Sequence, residues 1–204
     1  EDEKRLLCSE TVAVKYSAGD ILHGGDDDCV GVIFVKSGQL RAYMLSEDGR
    51  DITLYRLYKG DICIMSASCV FDSITFEVFV EAVGDSEILL IGSSAFKRVF
   101  ESNIYVEAYG YKAVTERFSD VMWTMQQILF MSFDKRLAIF LSDEASKNGS
   151  DEIRLTHEQI AKYMGSAREV VSRMLKYFSS EGIVELSRGE IRITDRKKLR
   201  QLTV

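Results

Sequence analysis

The stretch that decides the fold runs from 155 to 176 and reads Leu-Thr-His-Glu-Gln-Ile-Ala-Lys-Tyr-Met-Gly-Ser-Ala-Arg-Glu-Val-Val-Ser-Arg-Met-Leu-Lys. Thr156 with Gln159 three residues later is close to the capping box of a helix start. Gly165 is typical of a helix end. Apolar residues recur at helical spacing on both sides of this glycine. The stretch therefore predicts two short helices, one stopping at Gly165 and the next starting at Ser166.

A small hairpin follows the two helices. Ile183-Val-Glu-Leu186 and Ile191-Arg-Ile193 flank the turn sequence Ser-Arg-Gly-Glu. Two short helices, a tight turn and a hairpin are the elements of a winged helix-turn-helix, whose second helix enters the major groove of DNA.

The second helix carries a polar face opposite its apolar one, formed by Arg168, Glu169, Ser172, Arg173 and Lys176. An arginine can reach guanine O6 and N7, and a glutamate can accept a hydrogen bond from cytosine N4. The set predicted to bind DNA further includes Thr156 and His157 at the first helix and Arg188 at the hairpin tip. A solvated helix face is the alternative interpretation of the same residues.

Charge is distributed unevenly along the 204 residues, whose net charge is −6. Residues 1–133 carry 12 Lys/Arg and 21 Asp/Glu, a balance of −9, whereas residues 134–204 carry 14 and 11, a balance of +3. This asymmetry indicates that only the second half meets a polyanion.

Residues from about 10 to 93 read as short strands separated by Gly and Asp turns, which predicts a β-sandwich or barrel. A long helix is then predicted from about Ile104 to Ser132. Its apolar residues recur at steps of three and four, as in a coiled-coil seam, at Tyr111, Val114, Phe118, Val121, Met125 and Ile128. The seam predicts a dimer, and packing inside its own chain is the alternative.

The stretch 155–176 resembles the helix-turn-helix signature of the Crp/Fnr family, whose core [ST]-R-E-T-[VI]-[SG]-R-x-L is nearly met from Ala167 to Leu175. Residues 47–61 are similar to the family's hairpin and the strand that leads to its ligand cassette, and 133–136 resemble its hinge. The resemblance covers about residues 10 to 195. The resemblance implies that Arg168, Glu169 and Arg173 read base edges. His157 stands where members of the family often have an Arg that contacts phosphate.

The resemblance implies an α+β fold with a cyclic-nucleotide-binding-like β-roll, a long dimerisation helix and a C-terminal winged helix-turn-helix. The implied domains are an effector-sensing β-roll at 1–103, the dimerisation helix at 104–133 and a DNA-binding domain at 134–204. The expected partners are a second copy of the chain, palindromic double-stranded DNA with TGTGA- or TTGAT-like half-sites, and RNA polymerase.

The expected cofactor stays unknown. Family members that bind cyclic AMP carry Gly-Glu-Leu and Arg-Ser, where this chain has Ile64-Met-Ser66 and, nearby, Thr75-Phe76. Burying a cyclic phosphate without the Arg would leave its charge unpaired. The cysteines do not have the spacing that the iron–sulfur cluster of the family requires, which is an N-terminal group of Cys residues and one distant Cys. Haem has little support because His23 is the sole histidine of the sensory half.

Three interpretations of the cassette remain open. Cys63 and Cys69 are either buried small hydrophobic residues or a redox switch, which would need exposure and a lowered pKa. The third interpretation is a small ligand in a mostly apolar pocket lined by Met65, Ser66, Ser68, Thr75 and Trp123.

The sequence therefore predicts a transcription regulator whose DNA affinity is set by an effector or redox signal. The alternative is a cyclic-nucleotide-type ligand-sensing module that acts on protein partners and not on DNA. No nucleophile–base pair, paired-carboxylate motif or Gly-rich phosphate loop is evident, so an enzyme is not expected. No apolar run reaches the roughly 20 residues of a membrane span, so a cytoplasmic location is expected.

Overall fold

The computed structural model describes residues 1–24, 30–47, 49, 51–70 and 77–203, without the side chains of Ser68 and Cys69. The chain divides into two compact units, one comprising Glu1–Gly49 and Thr53–Trp123, the other Arg50–Ile52 and Thr124–Val204.

The first unit contains two four-stranded sheets with orders β1-β8-β3-β6 and β2-β7-β4-β5. The strands are β1 (Thr11–Tyr16), β2 (Ile21–Gly24), β3 (Val32–Ser37), β4 (Gln39–Leu45), β5 (Asp51–Tyr58), β6 (Ile62–Cys63), β7 (Phe79–Ala82) and β8 (Ser86–Ile91). Antiparallel pairing aligns Val35 with Ile88 in the first sheet and Ala42 with Val80 in the second.

Alternation along the strands produces one core between the two sheets, because successive side chains point to opposite faces. Ile33, Val35 and Ile88 of the first sheet pack with Ala42 and Val80 of the second.

The opposite face of the first sheet is covered by helices. These are α1 (Asp2–Ser9), a short 3-10 helix (Met65–Val70), α2 (Ser93–Ser102) and the first half of α3 (Ile104–Phe130). Val32 and Ile91 of the sheet pack there with Phe96 and Phe100 of α2.

The second unit begins within α3 and continues through α4 (Phe133–Asn148), β9 (Glu152–Ile153), α5 (His157–Met164), α6 (Arg168–Ser180), β10 (Val184–Ser187), β11 (Glu190–Ile193) and α7 (Arg196–Gln201). Its three-stranded sheet has the order β10-β11-β9. Leu137 and Leu141 of α4, Ile160 of α5, and Leu175 and Phe178 of α6 are fully buried in one core.

The predicted fold class is confirmed: a β-domain, a long helix and a winged helix-turn-helix follow one another along the chain. Two details differ from the sequence prediction. Strands β2 (Ile21–Gly24) and β6 (Ile62–Cys63) lack the alternation of apolar and polar residues that predicts a strand. The sequence predicts Asp134 as the N-cap of α4, but the structure has Ser132 at that position. The domain limits at 103/104 and 133/134 stay predictions, since the two compact units share α3.

Candidate DNA-binding surface and signal-receiving site

Helix α5 and the turn after it are held by the residues that the sequence singled out. The backbone N–H of Gln159 donates to Thr156 Oγ1 at 3.2 Å, and that of Thr156 donates to Gln159 Oε1 at 2.8 Å. The capping box is thus complete. Gly165 has φ 57°, a left-handed conformation that favours glycine. The chain can therefore reverse between α5 and α6 within a few residues.

Helix α6 is amphipathic, as predicted. Val171, Leu175 and Phe178 are fully buried in the core of the unit. The opposite face exposes Arg168, Glu169, Arg173 and Lys176, with Ser172 half-buried beside them. None of these five side chains forms a hydrogen bond or ion pair with the part of the chain that the structure describes, so all are available to a partner.

His157 lies in the first turn of α5 and is electrostatically coupled to two cations of α6. Burial lowers the pKa of its imidazole, and the positive charges of Arg168 and Lys176 lower this pKa further. The structure therefore places His157 with the polar face of α6, and a polyanion at this face would favour its protonated form.

The hairpin tip is the two-residue loop Arg188-Gly189, with Gly189 at φ 77°. Such two-residue loops require positive φ, which glycine adopts without strain. Arg188 is exposed and has no ion-pair partner among the described residues. Arg192 instead lies 3.3 Å from Glu152, with Glu185 and Glu190 also within 4 Å. Of the two arginines, Arg188 is thus the one available for phosphate contact.

Sequence reasoning missed the residue that anchors the turn. The guanidinium of Arg136, on α4, donates a hydrogen bond to the backbone carbonyl of Met164 at the end of α5. The sequence signal was present, since Arg136 lies in the motif Phe133-Asp-Lys-Arg. Only the tertiary structure shows which acceptor this side chain reaches.

The described residues at the start of the cassette after β6 are packed inside the first unit. Ile64, Met65 and Ser66 are buried. The Ser66 hydroxyl lies 2.7 Å from the carbonyl oxygen of Gly31 and 3.0 Å from that of Cys63, so it is already engaged by backbone acceptors. The side chain of Ser68 and the whole of Thr75 lie outside the described residues.

Cys63 is fully buried, 4.0 Å from the hydroxyl of Tyr55. Burial raises the pKa of the Cys63 thiol, because it disfavours the thiolate. These are the properties of a structural thiol rather than of a reactive one. The side chain of Cys69, its predicted redox partner, lies outside the described residues.

The structure adds two residues of α3 that connect this helix with the sheets. The guanidinium of Arg117 lies 5.2 Å from the centre of the Tyr55 ring and pairs with Asp120 at 2.8 Å. Val121 packs against the core between the two sheets. Trp123 is half-exposed on the helix, and its place in an effector pocket stays a prediction.

The predicted seam of α3 divides into two faces. Val114 and Val121 pack against the two cores of the first unit. Other apolar side chains of the helix remain exposed and recur mostly at steps of three and four, namely Tyr111, Phe118, Met122, Met125 and Leu129. We call these five residues the α3 stripe.

Within the described residues, no three His, Cys, Asp or Glu side chains are arranged to hold a metal ion. None of the helices described combines the length and the apolar character that crossing a bilayer demands.

Comparison with known proteins assigns both parts of the chain. The profile of the cyclic nucleotide-binding domain matches residues 13–103, and that of the Crp-like helix-turn-helix domain matches residues 135–202.

The chain is 46% identical to a proposed transcriptional regulator of the Crp/Fnr family from Eubacterium rectale, with a TM-score of 0.92 over 99% of this chain and 94% of that one. The structure of FixK2 from Bradyrhizobium japonicum matches with a TM-score of 0.79 at 21% identity, covering 95% and 98% of the two chains. The transcriptional regulatory protein btr of Bordetella pertussis is 25% identical over 197 residues, which are 93% of this chain and 80% of that protein.

Proposed function

Because the chain belongs to the Crp/Fnr family of transcription regulators, we propose that it binds a palindromic DNA site as a homodimer. We further propose that a signal received by the β-roll, the domain formed by the two four-stranded sheets, sets its affinity for that site. Such a regulator acts in the cytoplasm, where RNA polymerase is the expected further partner.

The observation that carries the proposal is the exposed face of α6. Its four charged side chains make no ion pair with the described residues, and two of them, Arg168 and Lys176, lie close enough to His157 to lower the pKa of its imidazole. The major groove of DNA offers hydrogen-bond acceptors to the arginines and a donor to the glutamate of this face. This supports DNA as the partner over a face that contacts only solvent.

The α3 stripe supports the proposed dimerisation. Five exposed apolar side chains on one helix are costly in water, and a second copy of the same helix can cover them. A two-fold pair of recognition helices spaced about 34 Å apart fits successive major grooves of a palindrome.

The signal is proposed to be a small molecule other than a cyclic nucleotide. Ser66 is engaged by backbone carbonyls, and Met65 stands where a ribose would need a carboxylate. Arg117 and Val121 couple α3 to the β-roll, so a ligand that repacks the roll would displace the helix. The ligand can bias DNA binding only through its differential affinity for the two arrangements.

The test is fluorescence anisotropy with labelled duplexes that carry inverted TGTGA or TTGAT half-sites or a scrambled sequence. Arg173→Ala should weaken binding to the preferred duplex by about 1–3 kcal/mol and reduce the discrimination at one base pair. Arg200→Ala removes an equally exposed arginine from α7 and serves as the matched control.

Equal affinity for palindromic and scrambled duplexes would contradict the proposal. So would equal losses in the Arg173 and Arg200 variants. Either result would favour a sensing module that acts on protein partners.

A further inference from the structure

A cavity of about 600 Å³ lies in the first unit, on the helix-covered face of the first sheet. Its apolar lining comes from α1, from β3 and β8, and from α2 and the first turn of α3, namely Leu7, Phe34, Leu89, Ile91, Val99 and Val106. Phe34 pairs with Leu89 across the sheet, so both point away from the core that contains Ile33 and Ile88. The cavity is thus separated by the sheet from the interior of the β-roll.

The polar residues that line the cavity differ in whether they are already engaged. Glu3 accepts a hydrogen bond from Asn103 Nδ2 at 2.6 Å and another from Ser102 Oγ at 3.5 Å. The Thr11 hydroxyl donates to the carbonyl oxygen of Leu7 at 2.6 Å. The remaining polar residues of the lining are Lys4 and Cys8.

Lys4 is exposed and forms no ion pair with any residue that the structure describes. As a lining residue, it can bring a positive charge to an apolar surface. Cavities of about 300–1,000 Å³ with a mostly apolar lining and a few polar groups are typical of small-molecule sites. The apolar lining is suited to the hydrocarbon body of a ligand, and the charge of Lys4 is suited to a single anionic group on that ligand.

We propose that this cavity binds an amphiphilic carboxylate of the fatty-acid class, with the hydrocarbon chain against Phe34, Leu89 and Val106 and the carboxylate paired with Lys4. Burial of the chain supplies the affinity, at about 25 cal/mol per Å² of apolar surface. The ion pair with Lys4 supplies the preference for an anionic head. The ligand would contact the first turn of α3 through Val106 and thereby reach the helix that carries the α3 stripe.

The test is isothermal titration of the full chain with decanoate below its micelle concentration, compared with decyltrimethylammonium, which has the same chain and a cationic head. We expect saturable binding of one decanoate per chain and clearly weaker binding of the cation. Lys4→Gln should weaken decanoate binding about three- to fivefold. Arg5→Gln, an exposed position on the same helix that does not line the cavity, should change it less than about twofold.

A second variant fills the cavity. Val106→Phe should abolish decanoate binding while the far-ultraviolet circular dichroism stays that of the unmodified protein. Absence of saturable binding, equal binding of the two amphiphiles, or equal effects of Lys4→Gln and Arg5→Gln would each overturn the proposal. If the Val106→Phe variant does not fold, the comparison of Lys4→Gln with Arg5→Gln still tests the proposal.

Discussion

The guanidinium of Arg136 and the carbonyl oxygen of Met164 join the start of α4 to the end of α5. Arg136 is half-buried, and burial lowers the pKa of its guanidinium. The same group lies 5.9 Å from the centre of the Phe133 ring. Since Met164 precedes the turn that leads into α6, this hydrogen bond fixes the orientation from which the recognition helix starts.

Replacement of Arg136 by Met should lower the free energy of unfolding by about 1–3 kcal/mol, because the carbonyl of a buried residue loses its donor. Urea denaturation measures this change. Lys135→Met is the matched control, since Lys135 neighbours Arg136 and makes no ion pair with a described residue. Equal stability of the two variants would show that the Met164 contact contributes nothing.

Thr156→Val should cost about 1 kcal/mol of stability, because it removes the oxygen that accepts the Gln159 N–H. Thr156→Ser keeps this oxygen and should retain most of the stability. Thermal denaturation of both variants distinguishes the cap from simple packing. If the Ser variant loses as much stability as the Val variant, the capping box is not the cause.

DNA affinity should rise as the pH falls below about 6.5. The pKa of His157 lies below the ordinary value of 6.5, because of burial first and then because of Arg168 and Lys176. Its protonation adds a positive charge to the DNA-binding face. Anisotropy titrations between about pH 5.5 and 7.5 should show this rise in the unmodified protein and a smaller one in His157→Gln. An identical pH profile in the two proteins would exclude His157 as the source.

The same shift has the opposite effect on the stability of the free protein. A histidine whose pKa is lower when folded than when unfolded stabilises the fold above its unfolded-state pKa. This contribution is lost as the pH falls through the folded-state pKa, so the unmodified protein should lose more stability below pH 6.5 than His157→Gln does.

Met125→Glu should convert the proposed dimer to a monomer and weaken binding to a palindromic duplex, because it places a charge within the α3 stripe. Sedimentation velocity gives the oligomeric state. Ser119→Glu adds the same charge to α3 away from the stripe and should leave the dimer intact. A Met125→Glu variant that stays dimeric would contradict this role of the stripe.

Native alkylation by iodoacetamide should modify Cys8 quickly and Cys63 only on unfolding. Cys8 is exposed, whereas Cys63 is buried and the pKa of its thiol is raised. Mass spectrometry of peptides measures each rate separately. Comparable rates at the two cysteines in the folded protein would restore Cys63 as a redox candidate.

The DNA-binding half could be predicted almost entirely from sequence, because its signals are local. The Thr156 cap, the Gly165 turn and the apolar spacing of α6 each depend on residues within one or two helical turns. The predicted start of α6 at Ser166 was early by two residues, since Ala167 is the N-cap and Arg168 begins the helix.

The N-terminal half was less predictable because its contacts join residues far apart in sequence. No pattern in the neighbouring sequence predicts that the Ser66 hydroxyl donates to the carbonyl oxygen of Gly31, or that Arg117 lies over the ring of Tyr55. The predicted seam of α3 also combined two faces, since periodicity cannot tell which apolar residues pack against their own β-domain.

By itself, the sequence determined the order of the parts, the family resemblance and the charged face of α6. All three rest on side-chain type and on spacing along one helix. The tertiary structure decided which groups are already engaged: Ser66, Arg136 and Arg192 have partners, whereas Arg168, Arg173 and Lys4 have none among the described residues. Availability depends on distances between distant segments, and these are fixed only when the cores of the two units are packed.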